Sequence, residues 1–253
     1  MKKIISAVLA AAIILAAAGC SNGSTDPANT TAAATTTAAT DSNGKVTEVA
    51  YEASIPDTSE AALEYLETVA PLFKKYITKR REAPLSFESV ITNSQGEWKS
   101  NIYIKDEHNV IQSVIDPTGV ETRTVYSVDK GFQLDTVNKK VYIQNFTTDR
   151  LDSIVAALRI RLMESDVKAA EYGRGSGIID GVEYDCETIT ISGDTTEYYF
   201  SDLTGDLMYI KNGDTMTKIT KLENTFDKDD MLTIPADYEQ LTYEDLLAAE
   251  GSD

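Results

Sequence analysis

Few side chains in this chain could do acid–base, nucleophilic or metal chemistry. Its 253 residues include one histidine and two cysteines. A structural zinc site takes about four ligands of these kinds, and a catalytic triad needs a histidine beside its nucleophile. His108 lies in the segment Asp106–Asn109, whose composition predicts a turn between two strands, so we interpret it as a solvated turn residue. The sequence predicts no catalytic residue, no metal site and no cofactor.

The other candidates for chemistry have simpler explanations. Cys186 lies in a predicted strand without a histidine partner, which indicates a buried and inert thiol. The segment Tyr172–Gly177 is rich in glycine but lacks the Lys-Ser/Thr pair of a phosphate-binding loop, so it is interpreted as a flexible linker or lid. Asp227–Asp230 lacks the spacing of a calcium loop and is interpreted as a solvated turn. Acidic residues are so numerous that no carboxylate pair is singled out for glycoside hydrolysis. We therefore expect no enzymatic activity.

The net charge of the chain bears on which classes of molecule it can bind. It carries 41 acidic and 23 basic side chains, which gives a formal net charge of −18. A body this acidic repels a phosphate backbone, and no basic patch interrupts the sequence, so nucleic acid is not a predicted partner. Hydrophobic residues make up 42% of the chain and charged residues 25%, as in a folded globular protein.

The N-terminal segment predicts the cellular location. Met1–Lys3 is basic, and the uncharged apolar run Ile4–Ala18 is shorter than the roughly 20 residues that a spanning helix needs. Gly19 and Cys20 follow this run. The whole segment resembles a bacterial lipoprotein signal peptide, in which the cysteine thiol receives a diacylglycerol and becomes the new N-terminus. The resemblance implies a signal peptide over 1–19 and lipidation of Cys20. The alternative is ordinary cleavage after Ala16–Ala18, because the usual leucine three residues before the cysteine is replaced by Ala17.

Two acyl chains suffice for stable anchoring, so we expect an extracytoplasmic protein on the outer face of the cytoplasmic membrane, with an outer-membrane position left open.

After the N-terminal segment, the amino-acid composition of the chain changes twice. Residues 20–45 are rich in Thr and Ala and contain no aromatic or branched aliphatic residue, which predicts a flexible tether. All aromatic residues lie at or beyond Tyr51. We therefore predict a single domain over 46–248 and a short tail over 249–253.

The periodicity of the domain predicts few helices. Apolar residues fall on one helical stripe between residues 58 and 80, where Pro71 predicts either a kink or two abutting helices. The basic triplet Lys79–Arg81 is interpreted as the solvated end of this helix. A second amphipathic helix is predicted over 149–164.

The rest of the domain reads as short strands with a period of two. Trp98, Ile102 and Ile104 share one face of the first of these strands, and turn signals recur about every ten residues. The predicted strands are 98–105, 110–115, 120–128, 132–137, 141–146, 183–192, 195–201, 206–211 and 215–226. Short connections favour an α+β fold in which one strongly curved antiparallel sheet of about ten strands, a half-barrel, wraps around two to three helices. Changes of apolar parity between Cys186 and Ile189, and between Ile219 and Leu222, predict two β-bulges.

Three stretches of the domain suggest a family. Val128–Asp135, Tyr198–Leu207 and the proline-containing ending Met231–Tyr238 resemble, in pattern and order, the LolA/LolB and LppX/LprG-like bacterial lipoprotein superfamily. That resemblance implies a half-open barrel, covered by helices, whose concave hydrophobic face holds acyl chains. Trp98, Ile102 and Ile104 are the best candidates for this face, although packing in the core explains them better.

Two functional hypotheses follow from the sequence. The first is a membrane-anchored lipoprotein that binds a lipid or acyl chain in the concave face for carriage, presentation or sensing. The alternative is an envelope interaction or sensor protein with a filled core, which docks a protein or cell-wall partner. A ligand-sized apolar cavity would favour the first hypothesis, and a filled barrel with an exposed apolar patch would favour the second.

Overall fold

The computed structural model describes residues 60–145 and 164–245. The predicted signal peptide, Cys20, the tether, the tail and most of the predicted helix 149–164 lie outside these residues. The described helices are α1 (Glu60–Val69), α2 (Pro71–Arg81) and α3 (Glu164–Ala169), with a 3₁₀ turn at Asp229–Leu232.

All described strands belong to one sheet, which is curved and unclosed. They are β1 (Leu85–Asn93), β2 (Gly96–Asp106), β3 (Asn109–Ile115), β4 (Glu121–Ser127), β5 (Lys130–Asp135), β6 (Lys140–Asn145), β7 (Glu171–Ile179), β8 (Val182–Ile191), β9 (Asp194–Phe200), β10 (Leu207–Asn212), β11 (Thr215–Glu223) and β12 (Glu239–Thr242). Their order across the sheet is 12-6-5-4-3-2-1-11-10-9-8-7. Every neighbouring pair is antiparallel except β12 and β6. The predicted α+β class with a curved sheet is confirmed.

Three strands were not predicted from the sequence. β1 is the most important of them, because it lies between β2 and β11 and joins the two halves of the sheet. Its residues Leu85, Phe87, Ser89 and Ile91 share one face and are all buried. β7 is a second addition, and the short parallel strand β12 is the third. The described sheet therefore has twelve strands rather than about ten.

The two faces of the sheet are covered by different elements. We call the face that carries α1 and α2 the helix face, and the other the outer face. Residues of the main core lie on the helix face, where Leu66, Phe73 and Ile77 of the helices pack against Phe87 and Phe200 of the sheet. The outer face of β2–β6 packs against the C-terminal segment from Phe226 to Tyr238, around Tyr103, Ile111 and Leu134. Both faces therefore bury apolar residues.

One predicted β-bulge is confirmed and the other is wrong. The pairing of β1 with β11 shifts between Glu88 and Ser89, which pair with Lys221 and Ile219. This shift explains the change of parity before Leu222. The register of β8 is continuous with both of its neighbours. Cys186 packs on the outer face and Ile189 on the helix face, so the change of parity there reflects burial on both faces.

The helical stripe is divided at Pro71 into two abutting helices, as one of the two sequence interpretations predicted. Pro71 is the first residue of α2, and its N-cap residue, Ala70, makes no side-chain capping bond. The end of α1 and the start of α2 therefore expose carbonyl oxygens and N–H groups at the same place. The partners of these groups are side chains that lie more than a hundred residues further along the chain.

Two side chains of the sheet supply these partners, and we call them the junction clamp: Arg174 of β7 and Glu187 of β8. The Glu187 carboxylate accepts hydrogen bonds from the amides of Phe73 (2.7 Å) and Leu72 (3.2 Å) at the start of α2. The Arg174 guanidinium donates to the carbonyls of Val69 (3.1 Å) and Thr68 (2.9 Å) at the end of α1.

The geometry of the clamp suits the electrostatics of helix ends. Arg174 and Glu187 are cross-strand partners on adjacent strands, with 3.8 Å between Nε and Oε1. A carboxylate at a helix N-terminus and a cation at a C-terminus both complement the helix dipoles. The Glu187 side chain is 3% exposed, so its bonds are shielded from water. The clamp therefore fixes both helices to one place on the sheet.

The glycine-rich segment around Arg174 is a strand, and its interpretation as a flexible linker or lid is wrong. Residues of β7 pair in continuous register with β8 from Glu171 to Ile179. A Cβ added at Gly173 would lie 2.5 Å from the Thr188 hydroxyl, and one at Gly177 would lie 2.5 Å from the Tyr199 ring. The glycines therefore leave space for side chains of β8 and β9 on the outer face.

Removal of the buried half of the clamp tests its contribution. We expect Glu187→Ala to lower the free energy of unfolding by about 2–3 kcal/mol, because two amides of α2 lose their acceptor in a shielded place. Chemical denaturation followed by circular dichroism measures this. Glu183→Ala is the matched control, since Glu183 lies exposed on the same strand, and it should change stability little. Equal effects of the two variants would contradict the role of the clamp.

Candidate binding surface on the helix face

One row of side chains crosses seven strands on the helix face, and its members change from apolar to polar in the middle. Cross-strand pairing aligns its members in the order Leu222, Phe87, Ile102, Gln112, Thr124, Gln133 and Tyr142, from β11 to β6. The first three are apolar, and the last four all carry groups that can form hydrogen bonds. The change falls between β2 and β3. This row is therefore divided into an apolar half and a polar half.

The apolar half is filled by the chain itself. Ile102 is 2% exposed and Ile104 is not exposed, and both pack in the core cluster that contains α1 and α2. Trp98 is half-buried on the same face, opposite Ile91 and farther along β2. Two of the three residues predicted for the acyl-chain face therefore lie beneath the helices. Their role in binding a ligand stays a prediction.

The polar half has the properties of a binding surface. We define it by Gln112, Thr124, Gln133 and Tyr142 and call it the polar row. Gln112 and Tyr142 are 7% and 9% exposed, and Thr124 and Gln133 are half-buried. No side chain of the polar row makes a hydrogen bond to another described residue. The polar row therefore offers donors and acceptors that residues 60–145 and 164–245 do not use.

Gln112 is the most informative member of the polar row. It lies in the buried middle of its strand, and its neighbours on the same face, Val110 and Val114, are 0% and 2% exposed. Its neighbour Ser113 is also buried but donates a hydrogen bond of 2.7 Å to Glu121. The Gln112 side chain, by contrast, makes no hydrogen bond to a described residue. Its amide is therefore available to a ligand.

A buried cation, Arg80, lies on the helix face beside Phe87 of β1. Arg80 is fully buried, and its guanidinium carbon lies 4.0 Å from the centre of the Phe87 ring. Burial raises the pKa of the adjacent Tyr76 phenol, although the charge of Arg80 opposes this shift. The interpretation of Lys79–Arg81 as a solvated helix end is therefore wrong for Arg80, which packs into the core.

The residues considered for catalysis lie apart from the polar row. His108 is exposed in the turn between β2 and β3, where its amide donates to Asp106. Cys186 is a buried free thiol on the outer face, and burial raises its pKa. Asp229 of the acidic segment pairs with Lys105 at 2.6 Å. Within 60–145 and 164–245, no three His, Cys, Asp or Glu side chains group closely enough to hold a metal ion.

No family model and no curated protein matches the chain. Several solved structures resemble it at 11% identity. An uncharacterized conserved protein from Thermus thermophilus has a TM-score of 0.41, with 66% of this chain and 98% of that chain covered. MucB has a TM-score of 0.39, with 68% of this chain and 64% of that chain covered. The MucA/MucB complex of Pseudomonas aeruginosa also gives 0.39, with 72% and 63% covered.

These likenesses have limited weight. The chain spans less than two thirds of the MucB chains that it matches. All three TM-scores lie below 0.5, so they support no conclusion about function. The half-barrel architecture rests on the strands themselves, and the resemblance to the lipoprotein superfamily stays a prediction. No described helix has the length and apolar character needed to cross a membrane.

The polar row was not predicted from the sequence, although a signal was present. Gln112 interrupts the apolar strand Val110–Ile115 at a position with the same parity as two valines. A polar residue at such a position indicates either a buried hydrogen bond or a binding site. Thr124 and Gln133 carry no comparable signal, because polar residues are common on half-buried strands.

Substitution of Gln112 distinguishes a binding residue from a structural one. We expect Gln112→Leu to leave the free energy of unfolding unchanged or to raise it by up to about 1 kcal/mol, because the amide has no hydrogen bond to a described residue and is replaced by an apolar group of similar size. Ser113→Ala is the control. It should lower the free energy of unfolding by about 1 kcal/mol, since the Ser113 hydroxyl has a hydrogen-bond partner. Urea denaturation measures both. Destabilisation by Gln112→Leu would show that the amide supports the fold.

Proposed function

We propose that this protein is a lipid-anchored extracytoplasmic binding protein without catalysis, and that its polar row binds an uncharged, hydrogen-bonding part of an envelope partner. The observation that carries the proposal is the alignment of Gln112, Thr124, Gln133 and Tyr142 across four strands, with no side-chain hydrogen bond from any of them to a described residue. The partner is a protein or a component of the cell wall, as in the second hypothesis from the sequence. The row contains only neutral side chains, which suit peptide groups or hydroxyl groups rather than ions.

The division of the helix face favours this function over acyl-chain binding. An acyl chain needs apolar surface, and the apolar half is occupied by Leu66, Phe73 and Ile77 of the helices. Access to Ile102 and Ile104 would require the helices to leave the sheet. The junction clamp opposes that movement, because four backbone groups of the helix ends would lose their partners.

Photocrosslinking in living cells tests the proposal directly, because it captures whatever molecule lies against the polar row. The full chain is produced with benzoylphenylalanine in place of Gln133, which is half-buried in the polar row. We expect irradiation to yield an adduct with a protein or a cell-wall fragment, identified by mass spectrometry. The same substitution at Lys99, which is exposed, is the control and should not yield this adduct.

Two results of this experiment would contradict the proposal. Adducts of phospholipid at position 133 would favour the acyl-chain hypothesis instead. Adducts of the same kind and amount at positions 133 and 99 would show that the polar row has no preference for a partner. Loss of the position-133 adduct when Gln112→Leu is added would show that binding depends on the Gln112 amide.

Anchoring is tested separately through the two cysteines. We expect Cys20→Ser to release the protein from the membrane fraction, because the thiol that would carry the diacylglycerol is removed. Cys186→Ser is the matched control and should stay with the membranes, since Cys186 is a buried free thiol in the sheet. Fractionation of cells followed by immunoblotting measures both. A Cys20→Ser protein that stays with membranes would contradict lipid anchoring.

A further inference from the structure

The two edges of the described sheet differ in how they are protected. At one edge lies β12, a strand of four residues that pairs in parallel with β6. At the other edge lies β7, which has nine residues and pairs only with β8. A long sheet edge offers a row of backbone donors and acceptors to another strand. The β7 edge is therefore the stronger candidate for strand addition.

β7 lacks the features that usually protect an edge. Its sequence has no proline and no lysine, and its register with β8 has no bulge. Within the described ranges, no backbone group of β7 bonds to a strand other than β8. Gly175, Ser176 and Ile178 are exposed, Ile178 by 75%. The one charged side chain in the middle of the strand, Arg174, is engaged by the ends of the helices.

The outer face of this edge has room for large side chains. The middle residues of β7 on that face are Gly173, Gly175 and Gly177, between Glu171 and Ile179 at its two ends. The space beside Gly173 and Gly177 is used by Thr188 and Tyr199, but nothing lies within 4 Å of a Cβ placed at Gly175. Large side chains on a neighbouring strand stabilise exposed glycines in sheets. An added strand with bulky residues beside Gly175 would fit this space.

The helix face of the same edge favours a positive charge. Ser176 pairs with Asp185, and Ile178 pairs with Glu183. Both acidic side chains are exposed, as is Asp180 in the turn that joins the two strands. Because Ser176 is small, a long basic side chain placed opposite it can extend toward Asp185. Such a pair adds to selectivity more than to affinity.

We propose that the free edge of β7 binds an extended segment of a partner protein by strand addition. The segment carries a basic residue opposite Ser176, and its two neighbours in sequence are bulky apolar or aromatic residues on the outer face. Main-chain hydrogen bonds supply the affinity and the alternating side chains supply the selectivity. A second copy of this chain fits less well, because it would bring the same acidic side chains and glycines to the edge. The proposal does not depend on the polar row.

A synthetic peptide with the pattern Val-Tyr-Lys-Tyr-Val is the probe. We expect it to slow hydrogen exchange in residues 171–179 of the full chain, as measured by mass spectrometry. Replacement of the peptide lysine by glutamate should weaken binding about fivefold in fluorescence anisotropy. Asp185→Lys should reverse this preference, so that the glutamate peptide binds more tightly than the lysine peptide.

A matched pair of variants tests the location. Ile178→Lys places a lysine at the edge and should weaken peptide binding at least about tenfold, because edge lysines oppose strand addition. Leu203→Lys makes the same change at a site that is 89% exposed in the connection between β9 and β10, and should have no effect. Circular dichroism confirms that each variant is folded.

Three results would overturn the proposal. The first is unchanged exchange in residues 171–179 at a saturating concentration of peptide. The second is an equal effect of Ile178→Lys and Leu203→Lys. The third is protection of β7 that rises with protein concentration in the absence of peptide, together with dimers in analytical ultracentrifugation, which would make a second copy the occupant.

Discussion

The packing of the described helices on the sheet depends on one pair of charged side chains. Where α1 ends and α2 begins, two carbonyls and two amides lack helical partners, and the local sequence around Pro71 has no capping side chain for them. Glu187 and Arg174 supply these partners from strands that lie more than a hundred residues away. Because each charge faces the helix end of opposite polarity, the pair sets both the position and the direction of the helices.

The position of the helices determines what is left for function. The helices cover the apolar half of the row, and that surface contributes to the stability of the fold. The polar row lies on the same face, on β3 to β6, and none of its side chains bonds to a described residue. The apolar core and the proposed binding surface therefore occupy different parts of one face.

Much of the fold was predictable because its signals are local. Alternation of apolar residues and regular turn residues predicted nine strands, and Pro71 predicted the division of the first helix. The errors have a common cause, which is that each depends on contacts between different elements of the fold. The segment from Tyr172 to Gly177 resembles a loop by composition, and it is a strand because its neighbours fill the space that glycine leaves. Arg80 resembles a solvated helix end, and it is buried because Phe87 lies beneath it.

By itself the sequence determined the class of fold and the break in the first helical stripe at Pro71, since both follow from composition or from short-range periodicity. It also predicts the anchor at Cys20, which depends only on the order of local segments. The tertiary structure alone decided which apolar residues form the core and which polar side chains lie in one row. Pairing across strands places Gln112 beside Thr124 and Ile102, and no local pattern encodes that row because its members are far apart in the chain.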